Sequence, residues 1–206
     1  MPGDRLVDLS IRAFSERLAS SDPAPGGGSA SAVAGALAAS LAAMVAQLTI
    51  GREKYAAHQA EMQQVLAQAE RLRGQMLALV DADTAAYRNV MEAYRLPKGD
   101  AEQMTARTAA VQEALLHAAD IPLAAAEACV QVLNLAAVAA QHGNKNAASD
   151  AAVAALLAHA ALHGAARNVR INLEQIDDQE FCASAELRLS GVVENGEAAL
   201  GRALAA

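Results

Sequence analysis

Residues 30–46 carry no charged side chain and consist mostly of alanine. Alanine has the highest helix propensity of all residues and is depleted in strands, so this stretch predicts a helix, from about Ser29 to Thr49. The same bias runs through the chain, in which hydrophobic residues make up 54% and aromatic residues only 2%. We therefore expect an all-α fold, with residues 1–206 forming a single-domain helical bundle of about six to eight helices.

The uncharged stretch is also nearly long enough to cross a bilayer. Its alanines, together with Ser31, Ser40 and Gln47, leave it well short of the Leu, Ile and Phe content of a typical span. No basic cluster flanks it, and we expect no second segment of similar strength further along the chain. A central buried helix is therefore favoured over a membrane span. Gly35 and Ala39, four residues apart, predict that another helix packs closely against it.

Helical periodicity and helix-breaking residues predict the remaining elements. Pro23 and Pro25 end a first helix, and Gly51 ends the Ala-rich one. Pro122 fits the first turn of a helix, where its missing N–H is not needed. No stretch predicts a strand. Besides the Ala-rich helix we expect helices at residues 4–20, 56–95 (long and amphipathic), 100–119, 122–141, 147–173 and 178–204, the last with a break near Gly191 or Gly196.

The formal net charge of −7 argues against nucleic acid as a partner, since Lys and Arg contacts to phosphates dominate that binding. Cys129 and Cys182 lie on unrelated segments without a metal-binding spacing, so we expect reduced thiols. The first ten residues carry charges where a signal peptide needs an apolar core, and we expect a cytoplasmic protein. Because interfaces between Ala-rich helices are thin, we also expect an oligomer.

An acidic residue interrupts the apolar stripe of the long third helix. Asp83 follows Leu79 by four residues and precedes Tyr87 by four, so at about 100° per residue it points the same way. Asp81 falls about 200° from Leu79 and should face away from the stripe. Two interpretations stay open for Asp83: it ties helices together or pairs with an arginine, or it lies in a partly dry cleft with a shifted pKa, ready for acid–base chemistry. The whole stripe comprises Leu72, Met76, Leu79, Asp83, Tyr87, Val90 and Tyr94.

The helix predicted at residues 147–173 has polar groups at both ends of one broad face. Asp150 lies near the helix start, where the macrodipole favours a carboxylate, and this capping role is favoured over a catalytic one. Asn168 and Asn172, four residues apart, can hold one another or a polar ring of a ligand.

Several familiar site motifs receive no support. His159 and His163 have a four-residue spacing that can bind metal, but no Glu or Cys stands beside them. A solvated face is therefore favoured, and we expect no metal site. The chain also lacks the G-x-S-x-G and H-E-x-x-H patterns, which argues against a serine-hydrolase elbow and zinc proteolysis.

A glycine-rich turn opens the Ala-rich helix. Gly26, Gly27 and Gly28 let backbone approach a neighbour or a ligand at little steric cost, and Pro25 stiffens the turn. No Lys follows the glycines, so the turn is not a nucleotide-binding phosphate loop. The unpaired N–H groups at the helix start near Ser29 suit a carbonyl or carboxylate acceptor. A plain helix entry is the alternative.

Three segments together resemble the cyclodeaminase/cyclohydrolase family of folate enzymes. They are "PAPGGGSASAVAGALAASLAAMVAQLTIGREKY", "LVDADTAAYRNVMEAYRLPK" and "GNKNAASDAAVAALLAHAALHGAARNVRINL". The family includes the C-terminal domain of formiminotransferase-cyclodeaminase and bacterial methenyltetrahydrofolate cyclohydrolases. The resemblance implies an all-α homodimeric enzyme that acts on one-carbon units between N5 and N10 of tetrahydrofolate, without a metal or other cofactor. The family's catalytic aspartate, in a D-A-D-x-x-A-[FY] motif, corresponds to Asp83, with Tyr87 at the aromatic position.

The resemblance also implies an activity and a set of substrate contacts. Methenyltetrahydrofolate cyclohydrolase is the expected activity, because the sequence carries no formiminotransferase half. The alternatives are formimidoyltetrahydrofolate cyclodeaminase and, in another class, a non-catalytic helical oligomerisation module. Expected substrate contacts are the glycine turn with Ser29 for a folate carbonyl or carboxylate, and Asp150. Further candidates are Asn144, Asn168 and Asn172 for the pterin edge, and Arg52, Lys54, Lys98 and Lys145 for the glutamate carboxylates.

Overall fold

Six α-helices and three short 3-10 turns form the protein in a computed structural model that describes residues 5–206. No strand occurs in that range, so the all-α prediction is confirmed. The start of the first predicted helix, at residue 4, lies outside the described residues. The helices are α1 (Ile11–Leu18), α2 (Gly27–Thr49), α3 (Gln59–Tyr94), α4 (Ala101–His142), α5 (Ala148–Leu173) and α6 (Gln179–Leu204), and the 3-10 turns are Leu6–Asp8, Glu53–His58 and Lys145–Ala147.

The Ala-rich helix α2 lies at the centre of the bundle, against α3, α4 and α5. Its small side chains permit close contact: a methyl group on Gly35 would come within 2.0 Å of Met76 Cε on α3. On the α5 side, a methyl group on Gly164 would come within 2.2 Å of Ser31 Oγ. Gly51, just after the helix, has a φ of +77°, a left-handed conformation that favours glycine. The predicted helix end is confirmed, and so is the position of α2 among three other helices, although one face of α2, with Leu37, Met44 and Leu48, is exposed.

Within residues 5–206 two helices, not one, are long and apolar enough to cross a membrane. α2 and α4 share a mean hydropathy of 1.7 over their most apolar windows. The expectation of no second segment as apolar as α2 was wrong, because α4 is one continuous helix and not the two shorter ones predicted. In both windows most residues are buried inside the bundle, 61% in α2 and 67% in α4. Burial against other helices favours the interpretation of core helices.

Helix α4 runs without interruption through Pro122, so the predicted division into residues 100–119 and 122–141 was wrong. Proline inside a helix lacks the N–H that would bond the carbonyl four residues earlier, here that of Ala118. The side-chain amide of Asn172 on α5 donates to this carbonyl, with 2.7 Å between Nδ2 and O. A neighbouring helix therefore satisfies the acceptor that proline leaves behind, which the local sequence could not reveal.

Helix α6 is also continuous, and neither predicted break occurs. A methyl group on Gly196 would come within 2.2 Å of Leu162 Cδ2, so this glycine permits close packing of α6 against α5. At Gly191 no atom lies within 4 Å of the corresponding position. A helix stabilised by packing along its length tolerates the modest propensity cost of two glycines.

The first predicted helix is in fact a 3-10 turn followed by α1, because Ser10 between them caps the start of α1. Ser10 has extended backbone, and its hydroxyl accepts a hydrogen bond from the N–H of Ala13, so α1 starts at Ile11. The preceding 3-10 turn is held to α3 by Asp81, whose carboxylate accepts from the N–H of Leu6 at 2.6 Å and from Arg5 Nε at 3.3 Å. Asp81 therefore faces away from the apolar stripe, as the helical spacing predicted.

Both cysteines are free thiols. Cys129 is buried in the core beside α2, and burial raises the pKa of its thiol to about 12. Cys182 on α6 is half-buried. A thiol that stays protonated at neutral pH is a poor nucleophile, so Cys129 serves packing.

Candidate active site

A cavity of about 360 Å³ opens where the start of α2 meets the second half of α3 and the last turns of α5. This volume lies in the range of small-molecule sites. We call this region the cavity end, comprising residues 23–29, 83–94 and 168–175. The lining residues are Pro23, Ala24, Gly26, Gly27, Gly28, Asp83, Ala86, Tyr87, Val90, Met91, Tyr94, Leu115, Ala118, Asn168, Asn172 and Gln175.

The Asp83 carboxylate lies directly against the first turn of α2. Ser29 Oγ is 2.9 Å from Asp83 Oδ2, 3.0 Å from the Val80 carbonyl oxygen and 3.2 Å from Thr84 Oγ1. A hydroxyl has one hydrogen, so Ser29 donates to either the carboxylate or the Val80 carbonyl at one time. This buried serine joins α2 to α3 at the position where the carboxylate enters the cavity.

The absence of a side chain at Gly28 makes this approach possible. A methyl group there would lie 2.1 Å from Asp83 Oδ1 and 2.6 Å from its Cγ, far inside contact distance. At the neighbouring Gly27 the same test finds only an ordinary contact, 3.6 Å from Asn168 Nδ2. The glycine turn therefore brings the positive end of the α2 dipole, with its N–H groups, to the carboxylate.

The balance of burial and hydrogen bonding raises the pKa of Asp83 above its ordinary value. Burial is the largest cause, because removing water disfavours the charged form. Hydrogen bonds from the side chain and backbone of Ser29 oppose the shift without cancelling it. No ion pair involves Asp83 among residues 5–206, so the arginine pairing left open by the sequence does not occur there. A carboxylate with a raised pKa and no cationic partner is suited to taking up a proton.

The apolar stripe of α3 has two environments. Leu72 and Met76 are fully buried in the core, whereas Tyr87 and Tyr94 are 36% and 37% exposed and line the cavity. Asp83 lies where the stripe passes from one to the other. The spacing thus predicted the direction of the side chain correctly, but it could not show that the second half of the stripe faces a cavity.

Both predicted asparagines of α5 line the cavity, but they do not hold one another. Asn168 Nδ2 donates to the carbonyl of Gly164 at 2.8 Å, and Asn172 Nδ2 donates to that of Ala118. With the NH₂ groups oriented by backbone carbonyls, each side-chain amide presents its oxygen as an acceptor.

Other predicted contacts lie at the far end of α2, which is about 34 Å long for its 23 residues. We call this region the closed end, comprising residues 48–55 and 142–150. Asn144 is 5% exposed there: its N–H donates to Thr49 Oγ1 at 2.8 Å, and its Nδ2 donates to the Leu48 carbonyl at 3.1 Å. Its Oδ1 accepts from the N–H of Asn146 at 3.1 Å. Asn144 therefore joins two chain segments instead of lining the cavity.

The charged candidates also lie away from the cavity. Lys145 Nζ donates to the Ala140 carbonyl at 3.2 Å, near the end of α4. Arg52 and Lys54 are exposed around the 3-10 turn that follows α2. Asp150 occupies the first turn of α5, where the helix dipole favours a carboxylate, but the N-cap is Ala147 and no side chain caps this helix by a hydrogen bond. Lys98 lies in the exposed loop between α3 and α4 and does not line the cavity.

A second cavity, of about 430 Å³, adjoins the first and contains basic residues that are not among the predicted substrate contacts. The two cavities share Pro23, Ala24, Tyr87 and Met91. Arg88 and Arg95, seven residues apart at the end of α3, could have been found from their spacing. Arg17 could not, because only the fold shows that α1 lies beside α3. The charged lining residues are Arg17, Arg88 and Arg95 together with Asp22 and Glu92.

A half-buried carboxylate with a raised pKa at the wall of an open cavity makes this region of an all-helical protein a candidate acid–base site. The comparisons with known proteins identify the family. The chain belongs to the formiminotransferase-cyclodeaminase family, whose model matches residues 10–190.

The relatives cover nearly the whole chain. It is 44% identical to a methenyltetrahydrofolate cyclohydrolase of Methylorubrum extorquens, over 89% of this chain and 88% of that protein. It is 36% identical to the formimidoyltransferase-cyclodeaminase of Rattus norvegicus, over 95% of this chain but only 36% of that longer protein. The crystal structure of formiminotetrahydrofolate cyclodeaminase from Thermotoga maritima has the same fold, with a TM-score of 0.86, 31% identity, and coverage of 95% of this chain and 94% of that one.

Proposed function

We propose that this protein is a methenyltetrahydrofolate cyclohydrolase, which hydrolyses 5,10-methenyltetrahydrofolate to 10-formyltetrahydrofolate. The similarity to the Methylorubrum extorquens enzyme over most of both chains supports this activity. One structural observation supports it most: the Asp83 carboxylate lies at the wall of a cavity, has a raised pKa and is held by the first turn of α2.

The substrate is a cation delocalised over the bridging carbon and its two nitrogens. A carboxylate in a partly dry cavity attracts such a cation more strongly than the same carboxylate does in water. In the first step a water oxygen bonds to the bridging carbon, and Asp83 accepts one proton from that water as general base. The products of this step are a neutral hydroxyl intermediate and a protonated Asp83, so charge is conserved.

In the second step the bond between the bridging carbon and N5 breaks. Protonated Asp83 donates its proton to N5, and the hydroxyl group loses its proton as the formyl carbonyl forms. After giving its proton to N5, the ionised Asp83 accepts the hydroxyl proton and then releases it to solvent. One carboxylate thus serves as base and then as acid, for which a pKa nearer neutrality than usual is an advantage. We propose no metal or other cofactor in these steps.

The rest of the cavity supports binding of a ring system. Tyr87 and Tyr94 present aromatic surface that can stack on a planar ring, and the amide oxygens of Asn168 and Asn172 can accept from ring N–H groups. Arg17, Arg88 and Arg95 in the adjoining cavity are the proposed partners of the glutamate carboxylates, in place of the four basic residues expected from the sequence.

Formimidoyltetrahydrofolate cyclodeaminase activity is the second candidate. Its support comes from the formimidoyltransferase-cyclodeaminase relatives and from the Thermotoga maritima protein. There N10 attacks the formimino carbon and ammonia leaves, and the same carboxylate would move the protons. The 44% identity to a cyclohydrolase places this activity second.

We further propose that the protein is a homodimer that uses the outer face of α2. Leu37, Met44 and Leu48 are 53%, 37% and 39% exposed, and their spacing of seven and four residues places them on one face. Sedimentation should give a dimer mass, and Leu37→Glu should produce monomers. Leu187→Glu is the matched control, since Leu187 is 77% exposed on α6. A monomeric wild type contradicts this assembly.

The function is tested by the absorbance of 5,10-methenyltetrahydrofolate with and without protein. A cyclohydrolase accelerates the decay above the uncatalysed rate and yields 10-formyltetrahydrofolate. Ammonia release from 5-formiminotetrahydrofolate, measured on the same preparation, reports the second candidate. A folded protein that accelerates neither reaction is a non-catalytic helical module.

A further inference from the structure

A compact group of three potential ligands bridges α5 and α6 on the outside of the bundle. His163 Nε2 lies 3.1 Å from His159 Nε2, and Glu197 Oε1 lies 2.8 Å from the former and 3.0 Å from the latter. None of the three residues lines the cavity that contains Asp83. The sequence favoured a solvated face because no acidic residue stands near the histidines, but α6 brings Glu197 to them.

The three atoms converge on one small volume. If both imidazoles carry a hydrogen on Nε2, both can donate to Glu197 Oε1, with the two nitrogens 3.1 Å apart. If neither carries that hydrogen, all three atoms present lone pairs to the same point, and a cation there accepts all three at once.

The separations are also close to those of metal ligands. Zn²⁺ binds imidazole nitrogen and carboxylate oxygen at about 2.0–2.2 Å, so tetrahedral geometry places two ligand atoms roughly 3.3 Å apart. The observed separations of 2.8–3.1 Å need only a small expansion. Two histidines and one carboxylate leave a fourth position for water or an anion.

A second group, formed by His58, Glu61 and His142, provides an internal comparison. Its imidazole rings are stacked, with centroids 4.3 Å apart and an angle of 16° between the planes. Lone pairs of nearly parallel rings do not converge on one ion. The rings of His159 and His163 meet at 63°, which permits convergence.

We infer that His159, His163 and Glu197 form a binding site for one divalent transition metal ion, with Zn²⁺ as the representative ligand. The side chains are 25%, 43% and 51% exposed, so an ion reaches them directly from solvent. The bound ion connects α5 to α6 and stabilises the folded state by an amount that rises with the logarithm of the free Zn²⁺ concentration above Kd. This site does not depend on the proposed folate chemistry.

The inference is tested by titrating the full-length protein, stripped with a chelator, with Zn²⁺ in a calorimeter. We expect saturable binding of one equivalent, a rise in the thermal midpoint with Zn²⁺, and a tetrahedral visible spectrum when Co²⁺ replaces Zn²⁺. His163→Ala and Glu197→Gln should each weaken Zn²⁺ binding by about a hundredfold. Removing a group that only hydrogen-bonds to a metal ligand already costs about tenfold to a hundredfold in affinity, and these variants remove a ligand itself. The exposed positions make both variants compatible with folding, which circular dichroism checks.

His142→Ala is the matched control and should retain the wild-type affinity for Zn²⁺. Cyclohydrolase turnover should be equal in wild type and His163→Ala, because the site is separate from the cavity. The inference is overturned if wild type shows no saturable Zn²⁺ binding, or if His163→Ala binds Zn²⁺ as tightly as wild type. It is overturned equally if His142→Ala removes the binding.

Discussion

Polar side chains lie beside both ends of α2, but they differ in how fully they are hydrogen-bonded and in whether they face a cavity. At the closed end, Asn144 is buried and its backbone and side chain are bonded to Thr49, Leu48 and Asn146. At the cavity end, the Asp83 carboxylate is held by Ser29 alone and faces open volume. Polar groups that are fully bonded stabilise a fold, whereas groups left with spare capacity beside a cavity are available to a ligand. This difference in hydrogen bonding, and not residue type, separates a structural end from a candidate active site.

The largest effect is expected for Asp83→Asn, which should lower turnover by about a hundredfold or more through loss of the general base. The stability of the folded protein should not decrease. Because burial raises the pKa of Asp83, the stability contributed by its protonated form is present below the unfolded pKa and is lost as pH rises through the folded pKa. At neutral pH a neutral Asn avoids that loss, so the thermal midpoint should stay equal or rise.

Asp81→Asn is the control for this variant, because in the described structure the Asp81 carboxylate accepts hydrogen bonds from Arg5 and Leu6 and does not line the cavity. It should keep most of the turnover and lose some stability. An equal loss of turnover in both variants contradicts the assignment of the base to Asp83.

The next effect is expected for Gly28→Ala. The added methyl group would lie 2.1 Å from Asp83 Oδ1 and must displace the carboxylate, so we expect turnover to fall by more than about tenfold. Gly74→Ala is the control in mid-α3, where the methyl group meets no atom within 4 Å and helix propensity improves. If Gly28→Ala keeps wild-type turnover, the contact between the glycine turn and Asp83 is not needed for activity.

The sequence predicted what depends on local spacing. The helical phase of α3 placed Asp83 with the apolar side chains and turned Asp81 away, and composition predicted an all-helical bundle. The misses depended on tertiary contacts: α4 continues through Pro122 because Asn172 satisfies the carbonyl of Ala118. Spacing also could not show which end of each helix meets a cavity. Asn144 and Asn168 were therefore both predicted to contact the pterin edge, although only Asn168 lines the cavity.

A moderate effect is expected for Arg88→Gln in the adjoining cavity. Loss of one charge partner should raise KM by about tenfold, equivalent to about 1.4 kcal/mol, with little change in kcat. The effect should be larger for a substrate with several glutamates than for one with a single glutamate. Arg12→Gln, at an exposed position of α1, is the control. A fall in kcat with unchanged KM contradicts a role in binding the tail.

At the closed end the effect should appear in stability. Asn144→Ala removes two partly buried hydrogen bonds, one to the Leu48 carbonyl and one from the N–H of Asn146, which should lower the free energy of unfolding by about 1–3 kcal/mol in total. Turnover per folded molecule should be retained, as measured below the thermal midpoint. Loss of turnover at unchanged stability would contradict the division between the two ends and make the closed end part of an active site.

The smallest effect is a shift in a pH profile. Ser29 donates to the Asp83 carboxylate and so holds its pKa below the value that burial alone would produce. Ser29→Ala should therefore move the acidic limb of kcat/KM to higher pH. Ser40→Ala, which removes a hydroxyl bonded to its own helix at Ala36, should leave the limb unchanged. An unmoved limb in Ser29→Ala contradicts the hydrogen bond's influence on the base.

The most direct measurement is the dependence of kcat/KM on pH in wild type and in Asp83→Asn, corrected for uncatalysed hydrolysis. For wild type we expect an acidic limb with a pKa above 3.8, the ordinary value for aspartate, because the free enzyme must be ionised at Asp83. The limb should be absent from the residual activity of Asp83→Asn. The same limb in both proteins, at similar rates, would show that another group is the base and would contradict the assignment of Asp83.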